Sequence, residues 1–88
     1  MKRIESRTVH MDVRSTQSVK EQMKAQGVHI AGHATASLER SRQAILQLGA
    51  ANILSVADRA RCEKRFRVAV RDTLHRYIGG KYEVIEGD

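Results

Sequence analysis

Residues 56–78, VADRARCEKRFRVAVRDTLHRYI, form a continuous amphipathic pattern that decides the fold class. At about 100° per residue, apolar side chains recur at the i, i+3, i+4 and i+7 spacing of a surface helix. One broad arc comprises Val56, Ala60, Cys62, Phe66, Ala69, Val70, Thr73, Leu74, Tyr77 and Ile78. The opposite side comprises Arg61, Lys64, Arg65, Arg71, His75 and Arg76. The segment therefore predicts a long helix with one apolar and one basic face.

Helix start and stop signals flank this segment. The sequence SVAD at 55–58 is similar to a capping box, with an acid at the positive end of the helix dipole. Gly27, Gly49 and the pair Gly79-Gly80 each follow a helix-compatible stretch, where glycine most easily adopts the left-handed cap conformation. These positions predict three helices, each ending near a glycine.

The two earlier helices are predicted to be shorter than the third. The sequence SVKE at 18–21 matches the capping box, and the helix that it starts would turn Val19 and Met23 inward. The second helix is predicted from about Thr35 to Leu48, because apolar and polar residues then separate onto opposite faces. Its inward face comprises Leu38, Ala44, Ile45 and Leu48, and its outward face comprises Glu39, Arg40, Gln43 and Gln47.

Strand signals lie near the two ends of the chain. Residues 8–13, TVHMDV, alternate strictly and place Val9, Met11 and Val13 on one face. Residues 81–85, KYEVI, are compatible with a second strand, paired with the first within the chain or across a dimer. The predicted fold class is mainly α, with three helices of which the C-terminal one is longest and one or two short terminal β-strands. A small α+β fold is the alternative.

The chain length and the charge limit the classes of protein to consider. At 88 residues the chain is predicted to be a single domain, 1–88, with residues 1–7 as a flexible basic arm and residues 86–88 as a flexible acidic end. A core of this size gives a modest stability, so a homodimer is expected. The net charge of +6 and the pI near 10.1 favour polyanions, acidic protein surfaces or anionic lipid as partners.

The cysteine content and the hydropathy indicate a cytoplasmic protein. The one cysteine, Cys62, has no partner for an internal disulfide, and Glu5, Ser6 and Arg7 interrupt any signal-peptide pattern after Met1. Charged residues recur throughout, so no stretch approaches the roughly 18 consecutive apolar residues of a membrane span. No membrane partner is expected.

The sequence lacks a pattern that would predict an enzyme. It contains no nucleophile elbow and no phosphate-binding glycine loop. His29 and His33 have the i, i+4 spacing of two metal ligands, but Gly27 and Gly32 disfavour a helix there and no adjacent acid completes a zincin-like motif. A third ligand would have to come from His10 or Cys62. Cys62 lies on the apolar arc, which indicates a small core residue. No cofactor or metal is therefore expected.

The basic face of the third helix gives the functional prediction. Arginine suits bidentate contacts to phosphate and guanine, so the chain is predicted to be a small non-enzymatic nucleic-acid-binding protein with duplex DNA as the favoured partner. The expected contact residues on the helix are Arg61, Lys64, Arg65, Val68, Arg71 and Arg76, with Lys2, Arg3 and Arg7 as a basic arm. Val68 is the apolar exception, placed to touch a thymine methyl group or a partner protein.

Other interpretations fit the same residues. A basic helix face is often merely solvated, or packs within an oligomer. A small inhibitor or adaptor of the phage- or plasmid-encoded type would dock the basic surface on an acidic or nucleic-acid-binding host protein. A strand followed by two helices also begins the ribbon-helix-helix class, but residues 18–27 are short for its first helix and Gly32 falls at the start of its second.

Overall fold

The computed structural model describes residues 6–87, which fold as three helices and two short strands. In chain order the elements are β1 (Arg7–Met11), α1 (Val19–Ala25), α2 (Gly32–Ala50), α3 (Val56–Tyr77) and β2 (Tyr82–Glu86). The predicted fold class is confirmed: the fold is mainly α, the C-terminal helix is the longest, and the strands lie near the two ends of the chain.

The two strands pair with each other in parallel and form the sheet of the described chain. Val9 lies opposite Val84 in the register. Parallel pairing requires a long crossover connection, and the three helices between the strands supply it. The predicted alternation in β1 is confirmed, because Val9, Met11 and Val13 are all buried. The ribbon-helix-helix interpretation is not supported. In that class the N-terminal strand pairs with the same strand of a second copy, whereas β1 of this chain pairs with its own β2.

The core lies between the sheet and one face of each helix. The predicted inward residues of α1, Val19 and Met23, are fully buried. The core cluster comprises Val9, Met11, Val13, Val19, Met23, Val28, Leu38, Phe66, Val70 and Leu74. These side chains are valine, methionine and leucine with one phenylalanine, so the buried area of this core is modest for its number of residues.

The cap signals of α1 and α3 are confirmed. Ser18 accepts a hydrogen bond from the Glu21 backbone N–H while the Glu21 carboxylate accepts from the Ser18 N–H, a complete capping box. Ser55 accepts from the Asp58 N–H at the start of α3. At the end of α1, Gly27 has φ +74° and the Val28 N–H bonds to the Met23 carbonyl, as in a Schellman motif.

The prediction that Gly49 ends α2 is wrong. Helix α2 runs from Gly32 to Ala50, and the left-handed residue that ends it is Asn52, with φ +56°. The Ile53 N–H bonds to the Leu48 carbonyl, which places Asn52 at the position that glycine usually occupies. Gly49 instead lies buried inside the helix, where the end of the flexible Arg59 side chain occupies the space that a side chain at this position would take.

The predicted apolar arc of α3 is correct only in part. Phe66, Val70 and Leu74 are buried, whereas Val56 is 89% exposed and Tyr77 and Ile78 are also exposed. A 22-residue helix is about 33 Å long, but a five-residue strand covers only about 17 Å. The first turns of α3 therefore extend beyond the sheet and have no core to face. The same applies to Leu48 near the end of α2, which is exposed rather than inward.

A buried ion pair joins α2 to the loop between β1 and α1. The Arg42 side chain is only 4% exposed and donates to the carbonyls of Val13 and Ser15, at 2.9 and 2.8 Å. Its Nη2 also donates to Glu39 Oε2 at 2.8 Å. Glu39 was predicted to face away from the core, but its Oε1 accepts the otherwise unpaired Val19 N–H at the start of α1.

The chain termini differ from the prediction of flexible ends. Arg7 belongs to β1, where its backbone N–H bonds to the Lys81 carbonyl, and Glu86 belongs to β2. Both predicted flexible segments therefore extend too far into the fold. Lys2 and Arg3 of the predicted basic arm, and Asp88, lie outside the described residues.

Candidate functional site

The side of α3 that points away from the core carries all five predicted cations of the helix. Positions 61, 68 and 72 lie opposite the buried Val70 at about 100° per residue, and all three are exposed. We call this side the outer face of α3; its exposed cations are Arg61, Lys64, Arg65, Arg71 and Arg76. The structure thus brings the helical part of the predicted contact set together on one side of one helix.

Two of these cations are paired with acids on the same helix. Arg61 contacts Asp58, and Arg71 lies 3.2 Å from Asp72. The hydrogen bond from Ser55 and the neighbouring Arg61 guanidinium lower the pKa of Asp58 below its usual value. Within residues 6–87, Lys64, Arg65 and Arg76 form no ion pair, so their charges remain open to a ligand.

Val68 lies at the rim of a groove between α3 and β2. The groove encloses about 360 Å³ and is lined on the α3 side by Lys64, Arg67, Val68 and Arg71, and by residues 82–86 of β2. The side chain of Val68 is 39% exposed, because the groove partly shields it. The sequence had placed Val68 on the basic side correctly but had not identified Arg67, which is half-buried at the same groove. We call this feature the β2 groove.

A second groove lies on the other flank of α3, toward α2. It is lined by Ser41, Ala44, Ile45, Cys62, Arg65, Phe66 and Ala69 and encloses about 330 Å³. Cys62 is half-buried at this groove, and Ala44 and Ala69 are exposed there. The predictions that Cys62 is a core residue and that Ala44 and Ala69 face the core are therefore wrong. The gap arises because residues this small do not fill the space between the two helices.

Arg7 does not join the cations of α3. Its Nη2 donates to the Gln26 carbonyl at 2.6 Å, which fixes the side chain at the end of α1. Strand β2 packs against α3, whereas β1 packs against α1. Arg7 is thus part of the fold rather than of a flexible arm, and Lys2 and Arg3 lie outside the described residues.

Two of the four histidines, His33 and His75, make side-chain hydrogen bonds within the fold, and the buried His10 Nδ1 has no partner among the described residues. His33 Nε2 lies 3.1 Å from the Tyr77 hydroxyl, and His75 Nε2 accepts the Tyr82 backbone N–H at 3.0 Å. His29 is exposed in the loop before α2. In the described part of the chain, no three His, Cys, Asp or Glu side chains are grouped as metal ligands.

An exposed apolar tip, which sequence periodicity had not indicated, lies where α2 turns into α3. Leu48, Ile53 and Val56 are all exposed there. They surround the Asn52 turn, beyond the end of the sheet. The tip carries no charged residue between Leu48 and Ala57, so it differs chemically from the outer face of α3.

Comparisons with protein-family models, with curated proteins and with solved structures find no match to this chain. Among the described helices, none has the length and apolar character that crossing a membrane requires.

Proposed function

We propose that the protein binds nucleic acid, with duplex DNA favoured, through the outer face of α3. The supporting observation is that the cations Arg61, Lys64, Arg65, Arg71 and Arg76 are all exposed on one side of one helix. Three of them, Lys64, Arg65 and Arg76, form no ion pair within residues 6–87. The chain's net charge of +6 adds a general attraction to polyanions.

The mechanism is phosphate neutralisation along the helix. The cations from Arg61 to Arg76 extend over about 22 Å of the helix, so they reach several phosphates at once. Each neutralised phosphate releases counterions, which makes the affinity fall steeply with salt. Val68 lies among these cations, where an apolar side chain can contact a thymine methyl group.

The experiment is fluorescence anisotropy against labelled duplex DNA, single-stranded DNA and duplex RNA between roughly 50 and 300 mM salt, the range in which counterion release is visible. The test variant carries Arg65→Ala and Arg76→Ala, because neither residue forms an ion pair within residues 6–87. Losing two phosphate contacts lowers the magnitude of the log–log salt slope by about 1.8.

The matched control carries Lys20→Ala and Arg40→Ala, which remove the same charge from exposed positions on α1 and α2. It should lose affinity only slightly and keep its slope. Equal losses in both variants would show that binding follows net charge and not the outer face of α3. No binding of the wild type at the lowest salt would refute the proposal and favour the protein-binding alternative.

A further inference from the structure

The two outer edges of the small sheet differ in whether their backbone groups have hydrogen-bond partners. At the outer edge of β1, the side-chain amides of Gln22 and Gln26 take the place of a neighbouring strand. The Gln26 amide accepts the His10 N–H at 2.7 Å and donates to the His10 carbonyl at 2.7 Å. The Gln22 amide does the same for Asp12, at 2.8 and 3.0 Å. This edge is therefore already paired.

The outer edge of β2 has no such cover. Because the Arg7 N–H bonds to the Lys81 carbonyl, the parallel ladder uses residues 81, 83 and 85 of β2, and the backbone groups of the alternate residues point outward. The Tyr82 N–H is bonded to His75. For Val84 and Glu86, the described residues provide no hydrogen-bond partner on that side. An unprotected edge of this kind is a template for another strand.

The β2 groove lies beside this open edge, and its lining carries three cations, Lys64, Arg67 and Arg71, against two acids, Glu83 and Glu86. Val84 and Tyr82 pack toward the core, so by alternation Glu86 shares their face and Glu83 points to the opposite face. A strand added at the edge would direct every second side chain into the groove. There those side chains would meet Val68 at the rim, with Lys64, Arg67 and Arg71 beside it.

We propose that the open edge of β2 binds an extended acidic segment of a partner protein by strand addition. The segment would carry an apolar side chain against Val68 and acidic side chains two residues to either side, against the groove cations. Main-chain hydrogen bonds to Val84 and Glu86 would hold the strand, and the cations would select its charge. The observations behind this inference do not depend on nucleic-acid binding, although both proposals use Lys64 and Arg71.

Charge argues against a second copy of this chain as the occupant. A symmetric β2–β2 pair would bring the α3 helices of both copies to the same face of an enlarged sheet. Lys64, Arg67 and Arg71 of each copy would then face one another, with only one Glu86 per copy on that face to offset them. Like charges brought together in this way disfavour association. An acidic strand meets the same cations with complementary charge.

The test is a titration of the ¹⁵N-labelled full chain with the peptide acetyl-TETVTET-amide, which places Glu, Val and Glu on one face, followed by amide resonances. The control peptide is acetyl-TKTVTKT-amide. We expect saturable shifts at Val84 and Glu86 and along the groove side of α3 with the acidic peptide alone. Equal shifts with both peptides, shifts confined to other surfaces, or no shifts with either would overturn the proposal.

Two variants separate the backbone from the charge contribution. Glu86→Pro removes an outward N–H and leaves the hydrogen bonds to β1 intact. It should lower the affinity for the acidic peptide about fivefold, the effect of one lost hydrogen bond. Glu86→Ala keeps that N–H and should bind at least as well as the wild type. A Glu86→Pro variant with wild-type affinity would refute strand addition.

The charge variant combines Lys64→Glu with Arg71→Glu and leaves the strands unchanged. It should lower the affinity for the acidic peptide by at least about tenfold. Its control, Lys20→Glu with Arg40→Glu, has the same net charge and should bind normally. Equal weakening in both would refute recognition by the groove. Sedimentation equilibrium tests whether the chain associates with itself. If the wild type is a dimer and the Glu86→Pro variant is a monomer, the β2 edge binds a second copy of the chain, and the proposal of a partner segment is refuted.

Discussion

Replacing Arg42 with alanine should destabilise the fold more than any other change to a charged residue that the structure describes. Arg42 is 4% exposed and donates to two loop carbonyls and to both oxygens of Glu39. The substitution leaves those carbonyls without their side-chain donor, while Glu39 keeps only its bonds from Val19 and Gln43. Losing a donor at these three groups costs about 1–3 kcal/mol each, so at least about 3 kcal/mol in all. A domain of 88 residues has a free energy of unfolding of roughly 4–13 kcal/mol, so this loss is a large share of it.

The assay is urea unfolding followed by far-UV circular dichroism, with a thermal melt as a second measurement. The melting temperature should fall by at least about 12 °C, since each kcal/mol shifts a domain of this size by roughly 4–8 °C. Arg42→Lys should lose about half as much, because lysine keeps the charge but lacks the planar fork that reaches several acceptors. Arg40→Ala, on the exposed side of α2, should change stability by less than about 0.5 kcal/mol. A loss below about 1 kcal/mol for Arg42→Ala would refute the role assigned to the buried pair.

Three further outcomes are expected. The Arg42 hydrogen bonds lower the pKa of Glu39 from 4.5 to about 2, so about 2 kcal/mol of stability, after allowance for solvent screening, is present above pH 4.5 and lost as the pH falls toward 2. Urea midpoints at pH 7, 4 and 2 should therefore fall less steeply for Glu39→Gln than for the wild type. Val56→Ser should leave the urea midpoint nearly unchanged, because Val56 is exposed. Phe66→Ala should lower the free energy of unfolding by about 3–5 kcal/mol, because Phe66 is buried. A clear loss of stability in Val56→Ser would show that the apolar tip is buried in solution. In anisotropy assays the acidic peptide should displace bound duplex DNA, and simultaneous binding of both would show that Lys64 is not shared.

Local signals predicted most of the elements. The strict alternation of residues 8–13 placed Val9 and Met11 in the core because strand side chains point to opposite faces with a period of two. The capping residues Ser18 and Ser55 set the starts of α1 and α3, since their side chains satisfy N–H groups within the same turn. Such features depend only on neighbouring residues, so the sequence contains them in full.

Tertiary features were missed because they depend on how far each element extends. The periodicity of α3 is uniform to its first residue, yet Val56 is exposed because the sheet ends before it. Asn52, just after α2, tolerates the left-handed conformation and could have been recognised in the sequence as the residue that ends the helix. Gly49 was predicted instead because glycine adopts that conformation more easily. Gln22 and Arg42 are polar residues on otherwise inward faces, and only the loop and the strand edge packed against them explain their burial.

The basic surface of α3 was predicted, but its division into two parts was not. Arg61, Arg65 and Arg76 lie away from β2, whereas Lys64 and Arg71 belong both to the outer face and to the β2 groove. If both proposals hold, an acidic strand and a nucleic acid compete for the two shared cations. Linkage then requires each ligand to weaken the other by the same factor. Because the groove residues adjoin the outer face directly, this antagonism needs no conformational change: a bound strand places its own acids where phosphates would bind.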